Sequence, residues 1–239
     1  MKFSDFKYRT SEEEVMDDFY LKGAELLKTM KDLDKVNRWL GGNRISLQGI
    51  RKILSENPVG TVRILDVGCG NGSMLREVAE FGRKNQMEFE LVGIDANEYA
   101  IEIAREQTAD YPEISFLPMN IFSEAFQTMK TDIILCTLTL HHFKDEDIES
   151  LMELFLRNAR LGVVINDLER SPIAYQLFRM FCAVFIDNEI ARKDGLISIR
   201  RGFKMADLEK FGRGITKVQE IEWKWAFRYQ WIIYKNKKP

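Results

Sequence analysis

The stretch RILDVGCGNG at residues 63–72 decides the fold of this 239-residue chain. It begins as a short apolar strand with Asp66 near its end and continues into a glycine-rich turn. Residues 73–81 then show the apolar spacing of a helix. Glycine lets a backbone bend tightly and approach a ligand, because no Cβ is in the way. Ligands of open α/β sheets lie at the carboxyl ends of the strands, so the stretch predicts a nucleotide-like ligand above this turn.

The spacing of the glycines distinguishes between nucleotide ligands. A dinucleotide-binding turn needs G-x-G-x-x-G, whereas this chain has G-x-G-x-G with Ser73 at the position of the third glycine. A phosphate-binding P-loop is excluded because no Gly-Lys-Ser/Thr follows. The run LDVGCGNG resembles motif I of the class I S-adenosylmethionine (SAM)-dependent methyltransferases. This resemblance implies that SAM binds at Asp66, Gly68, Cys69, Gly70 and Gly72.

The next strand end supplies a predicted ribose contact. The strand at residues 89–94 is followed by Asp95 and Ala96. A carboxylate at this position can accept hydrogen bonds from both ribose hydroxyls. Asp95 also matches motif II of the methyltransferases at the expected distance from the glycine turn. The alternative is that Asp95 or Asn97 caps the helix that follows.

Two further strand ends are expected to contact the cofactor. Asn120 follows the third strand, where many family members carry an aspartate on the adenine amino group, and its amide oxygen can still accept from that amine. Ile121 would then pack on the adenine ring, and Thr137 at the end of the fourth strand is a further predicted contact. A role for Asn120 in a turn alone remains open.

His141 and His142 are the only histidines in the chain, and they follow the fourth strand in the segment LHH. This segment resembles motif IV of UbiE-like small-molecule methyltransferases. Histidine can act as a general base near neutral pH, so both residues are candidate catalytic bases for an oxygen acceptor. A structural role in the pocket floor is the alternative. No metal site is expected, because a third ligand in reach would be needed.

Composition limits the partners of the protein. The formal net charge of −2 provides no overall positive field for nucleic acid or for an anionic membrane. Three widely spaced cysteines without a CxxC pattern are typical of reduced cytosolic thiols. The first residues form no apolar signal core, and no run approaches the ~18 apolar residues of a membrane span. We therefore expect a soluble, cytoplasmic protein with a small-molecule acceptor, whose oligomeric state the sequence does not indicate.

The pattern of elements predicts two regions, an N-terminal helical extension or lid over residues 1–60 and a SAM-binding domain over residues 61–239. In the extension we expect a long helix after an S-x-x-E capping box at Ser11–Glu14, a second helix at about 45–55 and a linker at 57–60. In the second region strands and helices alternate, which is typical of a parallel sheet covered on both faces. Five such strands and two closing ones predict a Rossmann-like, doubly wound, mostly parallel seven-stranded α/β sheet.

A predicted insertion at residues 171–204 follows the fifth strand and consists of a helix and an irregular basic segment. The part from Asn166 to Lys204 resembles methyltransferases found beside type III polyketide synthases, which methylate phenolic products. This resemblance implies a phenolic, quinol or polyketide-like oxygen acceptor. For the insertion helix, packing against residues 11–40 is the alternative to a role over the acceptor.

Three residues of the insertion are candidate contacts of the acceptor: Tyr175, Arg200 and Arg201. Arginine suits a planar carboxylate or a phenolate, because its planar fork of N–H groups matches two oxygens. A solvated loop with internal ion pairs is the alternative for both arginines.

In the last of the two closing strands we expect aromatic residues at every second position. Such a row can serve as a stacking platform for nucleic acid. We favour the alternative, in which one strand face is buried under helices. The row consists of Trp223, Trp225, Phe227, Tyr229, Trp231 and Ile233.

The predicted function is methyl transfer from SAM to a small molecule, with the protein mainly aligning the acceptor for in-line attack. Two alternatives stay open. One is an NAD(P)-dependent oxidoreductase on a related sheet, which the glycine spacing disfavours. The other is a SAM-binding protein without catalysis.

Overall fold

The protein is built on one seven-stranded sheet, seen in a computed structural model that describes residues 3–57 and 60–237. The strand order is β3-β2-β1-β4-β5-β7-β6, and β7 runs antiparallel to both β5 and β6 while the other neighbouring pairs are parallel. The predicted Rossmann-like, mostly parallel sheet is confirmed. The strands are β1 Val62–Val67, β2 Phe89–Asp95, β3 Ile114–Pro118, β4 Thr131–Thr137, β5 Ala159–Leu168, β6 Gln219–Lys224 and β7 Arg228–Tyr234.

Helices cover both faces of this sheet, because alternate residues of each buried strand point to opposite faces. Ile64 of β1 packs into a core beneath α2, α3 and α4, whereas its neighbour Leu65 packs into a second core beneath α5, α6 and α9. The helices are α1 Gly23–Trp39, α2 Gly42–Glu56, α3 Ser73–Asn85, α4 Glu98–Gln107, α5 Glu124–Thr128, α6 Asp145–Asn158, α7 Pro172–Phe185, α8 Glu189–Arg201 and α9 Met205–Gly212.

Helix α2 lies directly on the sheet, although it belongs to the predicted N-terminal extension. Ile50 and Ile53 are fully buried in the core that contains Val164 of β5. Gly49 permits this approach, since an added Cβ would come within 2.4 Å of a Val164 methyl group. Helix α2 is therefore part of the layer that covers the sheet.

The predicted helix after Ser11 does not form at that position. A short 3-10 helix at Val15–Asp17 precedes α1, which begins only at Gly23. The first amides of the short helix, those of Val15 and Met16, donate instead to the Asp194 carboxylate on α8 at 2.9 Å each. The local cap lies at Glu14 and Asp17 rather than at Ser11, because the Asp17 carboxylate accepts from the Glu14 amide at 3.0 Å, and the tertiary contact with Asp194 adds to it. Of the predicted linker, Pro58 and Val59 lie outside the described residues.

The segment predicted as an irregular basic loop is helical and forms most of α8. Asn188 caps it by accepting a hydrogen bond from the Ala191 amide, and one side of the helix is buried. The preceding helix α7 packs on α1 through Cys182 and Val36. Helix α7 therefore packs on α1, as the packing alternative describes, and its residues Leu177, Phe178 and Phe181 also line the large cavity of the protein.

The aromatic row is divided between two strands and the turn that joins them, so the prediction of one strand was wrong. Trp223 lies in β6, Trp225 lies in the turn, and Tyr229 and Trp231 lie in β7. The register pairs Lys224 with Arg228, which leaves three residues for the turn. The β7 residues are buried, as the favoured alternative requires, whereas Trp225 is 68% exposed.

Candidate active site

The glycine turn connects β1 to α3, and its three glycines have different neighbours. Gly68, Gly70 and Gly72 all have positive φ angles, at 71°, 52° and 73°. A Cβ on Gly68 would meet the Thr139 side chain at 2.4 Å, and one on Gly72 would meet Phe116 at 2.7 Å. A Cβ on Gly70 would have only a methyl carbon at 3.9 Å near it. Gly70 therefore borders open space for a ligand, while Gly72 is required for packing.

Asp95 lies at the end of β2 and faces the turn. Its carboxylate accepts hydrogen bonds from the Gly70 amide at 3.0 Å and from the Asn97 amide at 2.9 Å. Asn97 caps α4, because its side-chain oxygen accepts from the amides of Tyr99 and Ala100. Capping thus falls to Asn97 rather than to Asp95. Burial raises the pKa of the Asp95 carboxyl group, which lines the cavity above the turn.

One large cavity, of about 910 Å³, extends from the glycine turn to the two histidines. Gly68, Gly70 and Asp95 line it at one end, and His141 and His142 line it at the other. Its walls are largely apolar, and the volume lies in the range of pockets that hold cofactors or drug-sized ligands. The apolar side chains of the wall include Met30, Leu33, Leu40, Ile121, Phe143, Leu177, Phe178, Phe181 and Phe227.

Three further predicted cofactor residues line this cavity: Ala96, Asn120 and Ile121. The side-chain oxygen of Asn120 accepts a hydrogen bond from the Phe122 amide at 2.9 Å, so the residue does form a turn. Ile121 is buried beside it. Asn120 and Ile121 therefore both lie on the cavity wall, where the adenine contact is expected. The Asn120 side-chain oxygen, however, already accepts the hydrogen bond from Phe122.

Four predicted cofactor residues do not line the cavity: Asp66, Cys69, Gly72 and Thr137. Asp66 is buried behind the turn, and burial together with the neighbouring Asp95 charge raises its pKa to about 8. The Thr137 hydroxyl instead hydrogen-bonds Ser46 of α2 at 2.8 Å. These residues lie behind the turn or under α2, where they pack behind the residues that line the cavity.

Each histidine is held by a carboxylate on one side of its ring. His141 Nδ1 lies 2.7 Å from the Asp167 carboxylate, which also accepts from the His141 amide. His142 Nδ1 lies 2.6 Å from the Asp17 carboxylate. His141 is buried, whereas His142 is half-buried. In each ring Nε2 is therefore the nitrogen left for other chemistry.

Glu14 also lines the cavity beside the histidines. The sequence did not indicate it as a candidate site residue. Its Oε1 atom lies 3.6 Å from His141 Nε2, and its Oε2 atom accepts a hydrogen bond from Ser198 on α8 at 2.7 Å. Burial raises the pKa of this carboxyl group to about 7. The S-x-x-E pattern indicated only a helix cap, and no local signal connects Glu14 with histidines more than a hundred residues later. We call Glu14, His141 and His142 the histidine cluster.

Of the three predicted acceptor contacts, only Arg201 lines the cavity. Its guanidinium contacts the Asp17 carboxylate at 2.5 Å and donates to the His142 carbonyl at 2.7 Å. Arg200 forms an ion pair with Glu12 instead, as the alternative prediction for this residue stated. Tyr175 packs edge-to-face on the Phe6 ring at 5.6 Å and does not reach the cavity.

A second arginine, Arg228, lines the cavity and was missed from the sequence. It is buried at the start of β7, and its Nε and Nη1 atoms have no hydrogen-bond partner among the described residues. Burial lowers the pKa of this guanidinium to about 10, with the Asp167 charge opposing the shift. Burying a charged group without a partner is costly, so Arg228 favours an anionic ligand nearby.

Comparison with known families places this cavity in context. Residues 64–162 match a family model described as a methyltransferase domain. Among curated proteins, the mitochondrial ubiquinone biosynthesis O-methyltransferase of Schizosaccharomyces pombe is 29% identical over 157 residues, 63% of this chain and 54% of that protein. The carboxy-S-adenosyl-L-methionine synthase of Nitratiruptor sp. is 28% identical over 105 residues, 44% of this chain and 42% of that protein. The matches thus span about half the length of these curated relatives.

Solved structures share the fold. The plantazolicin methyltransferase BpumL in complex with SAH has a TM-score of 0.66 and 18% identity, and the match covers 87% of this chain and 89% of that one. Magnesium protoporphyrin IX methyltransferase from Synechocystis PCC 6803 with bound SAH has a TM-score of 0.54 and 15% identity, with 81% of each chain covered.

Within residues 3–57 and 60–237, no helix is long and apolar enough to cross a membrane.

Proposed function

We propose that this chain, which carries a class I SAM-dependent methyltransferase domain, transfers the methyl group of SAM to an ionisable oxygen of a small, largely apolar acceptor. The observation that carries the proposal is the single cavity that joins the glycine turn to the histidine cluster. Because the methyl sulfonium is already activated, the main task of the protein is to align donor and acceptor in a water-poor space. The apolar walls of the cavity supply that space.

The cofactor would occupy the end at the glycine turn. Gly70 leaves room for the ligand, Asp95 is placed to accept hydrogen bonds from ribose hydroxyls, and Ile121 is placed to pack on adenine. The Asp95 carboxylate already accepts from the Gly70 amide, so ribose binding and turn geometry depend on the same side chain. Asp66, buried behind the turn, would support the turn and the amino-acid end of SAM.

The acceptor would occupy the remaining space, with its reacting oxygen at the histidine cluster. Ionisation of that oxygen strengthens its attack on the methyl group, and His141 and His142 are the candidates to take its proton. His142 is the better exposed of the two, and Asp17 fixes its ring. Asp167 likewise fixes the buried His141.

The acceptor would also carry an anionic group, for which Arg228 supplies the partner. The guanidinium lies on the cavity wall, its Nε and Nη1 atoms have no hydrogen-bond partner among the described residues, and its positive charge favours a carboxylate or a second phenolate in the cavity. A phenolic, quinol or polyketide-like acid has the required apolar body, ionisable oxygen and anionic end. We therefore assign the contact with the anionic group of the acceptor to Arg228 rather than to Arg200 or Arg201.

The test is incubation of the purified protein with methyl-labelled SAM and matched pairs of acceptors, with products identified by mass spectrometry. The members of each pair differ in one group. Comparison of 4-hydroxybenzoate with 4-hydroxybenzamide tests the anionic group, and comparison of 4-hydroxybenzoate with 4-methoxybenzoate tests the reacting oxygen. We expect label transfer only to free hydroxyl groups, and at least tenfold faster transfer to the acid than to the amide. Arg228→Met should remove that preference, whereas Arg44→Met, a change of an exposed arginine on α2, should keep it.

The competing functions give different results in the same preparation. A SAM-binding protein without catalysis would bind SAM and label no member of a wider panel of phenols, quinols and hydroxy acids. An NAD(P)-dependent oxidoreductase would retain a nicotinamide rather than SAM or S-adenosylhomocysteine after purification. Methyl transfer to nitrogen or carbon in preference to oxygen would overturn the oxygen assignment and leave the methyltransferase class standing.

A further inference from the structure

The histidine cluster presents three donor atoms to one point. One ligand atom from each of Glu14, His141 and His142 lies within 4.8 Å of the other two. Oxygen and imidazole nitrogen are ligands that zinc and related divalent metal ions prefer. Three protein ligands with one open position is the arrangement of catalytic rather than structural zinc sites. The expectation of no metal site rested on the lack of a third ligand, and the fold supplies Glu14.

Two of the three donor atoms are buried and unpartnered. Within the part of the chain that the structure describes, Glu14 Oε1 and His141 Nε2 have no hydrogen-bond partner, although their residues are only 6% and 2% exposed. The two atoms face each other at 3.6 Å. Two ligands at ~2.1 Å from a tetrahedral ion are about 3.4 Å apart, so the observed separation suits one shared ion.

The outer contacts of the cluster also fit a metal site. His141 Nδ1 is paired with Asp167 and His142 Nδ1 with Asp17, which leaves Nε2 of both rings as the metal-facing nitrogen. Histidine ligands usually donate their other ring N–H to a carboxylate in this way, because the contact fixes the ring and raises its basicity. Both rings thus have the orientation and the tautomer that a metal ligand requires.

The surrounding charges leave room for a cation. Three carboxylates belong to the cluster and its outer contacts, namely those of Glu14, Asp17 and Asp167. Arg201 is the cation in contact with two of them, at 2.5 Å from Asp17 and 3.5 Å from Glu14. Arg9 lies beside the cluster as well, but its guanidinium is paired with Asp145. The negative charges therefore outnumber the cations that contact them.

We propose that Glu14, His141 and His142 form a binding site for a divalent transition-metal ion such as Zn²⁺. The site rests on the proposed function in one respect, since its open position would face the acceptor oxygen in the cavity. A bound cation lowers the pKa of a hydroxyl group that contacts it, and the hydroxyl proton is released to solvent. In the metal-loaded protein both histidines are then neutral ligands, and the cation ionises the acceptor.

The test is titration of the metal-stripped protein with Zn²⁺ by calorimetry and with Co²⁺ by absorption spectroscopy. We expect one equivalent to bind with micromolar or tighter affinity, and Co²⁺ to give visible bands of a tetrahedral or five-coordinate site. Glu14→Gln should weaken binding at least tenfold while it keeps an oxygen for the Ser198 hydrogen bond. His142→Gln should weaken binding to a similar extent. Asp18→Asn is the matched control, since it removes an exposed carboxylate of the same segment, and it should bind Zn²⁺ like the wild type.

The results separate this proposal from the proposed function. Absence of Zn²⁺ and Co²⁺ binding by wild type, or binding that both variants retain, would overturn the metal site. S-adenosylhomocysteine affinity, measured in the same samples, reports folding and the cofactor end of the cavity and should stay within twofold in every variant. One equivalent of metal held by a protein that transfers no methyl group would overturn the proposed function and support the site.

Discussion

At the residue scale, Asp95 supports the glycine turn and is also the proposed ribose contact. Its carboxylate accepts from the Gly70 amide, so Asp95→Ala removes a support of the turn as well as the proposed ribose contact. We expect SAM affinity to fall by one to two orders of magnitude, measured by calorimetry. Glu90→Ala, at an exposed position of the same strand, is the control and should bind SAM normally. Unchanged affinity in Asp95→Ala would refute the ribose assignment.

Gly70 and Gly72 form a matched pair, since both have positive φ but face different neighbours. Alanine in the left-handed region costs ~1–2 kcal/mol at either position. Gly70→Ala adds a methyl group toward the cavity and should weaken SAM binding at least tenfold with little further loss of stability. Gly72→Ala must displace Phe116 and should lower the melting temperature more. Calorimetry and thermal unfolding of both variants check this, and equal effects of the two changes on SAM affinity would contradict the model of the turn.

Sequence reasoning at this scale found the residues that a local pattern marks. Gly70 and Asp95 lie beside each other because parallel strands end at one edge of a sheet, a rule that needs no side-chain detail. Glu14 and Arg228 carry no such mark. Their roles depend on what lies opposite them across the cavity, and that follows from the packing of distant segments.

At the scale of elements, the segment of residues 9–18, which we call the strap, connects α8 to the histidine cluster. Arg9 holds one end of the strap, because its guanidinium donates to the His141 carbonyl at 2.7 Å, to the Phe143 carbonyl at 2.9 Å and to Asp145 at 2.7 Å. The strap also delivers Glu14 to the cavity. The strap therefore supports the histidine cluster directly.

Arg9→Ala should loosen the strap and cost about 1–3 kcal/mol of stability through lost charge-assisted hydrogen bonds. We expect KM for the acceptor to rise at least fivefold while S-adenosylhomocysteine affinity stays within twofold. Steady-state kinetics and hydrogen exchange of the strap amides provide the measurement. Lys7→Ala, an exposed change just before the strap, is the control. A loss of cofactor affinity equal to the rise in KM would show that Arg9 supports the whole fold rather than the acceptor end.

Two of the elements that the sequence predicted wrongly, the strap and α8, share one physical cause. The strap remains outside a helix because its amides at Val15 and Met16 donate to Asp194, and α8 is helical although its sequence is charged and has one glycine. Each of the two provides the contacts that the other lacks. A pattern read along either segment alone does not contain that information.

At the scale of the whole molecule, buried Asp66 connects stability with pH. Its pKa is about 8 in the folded protein, against about 4 in an unfolded chain. The folded state therefore binds the proton more tightly, so this contribution is complete below pH ~4 and is lost as the pH rises to about 8. The Asp66→Asn side chain is neutral at every pH. As the pH rises from 5 to 8, the free energy of unfolding of this variant should therefore fall less than that of the wild type, by about 1 kcal/mol or more. Urea unfolding at a series of pH values measures the difference, and parallel pH profiles would exclude Asp66 as the cause.

The sequence by itself determined the sheet and the proximity of the glycine turn to Asp95. Strand and helix periods are local, and the glycine turn with Asp95 lies where two consecutive strands end, so both follow from the order of residues along the chain. Only the tertiary structure decided the acceptor end. Glu14 comes from the strap, the histidines follow β4 and Arg228 begins β7, and the fold brings them to one cavity. Their chemistry arises from burial and from partners distant in sequence, which a local pattern cannot encode.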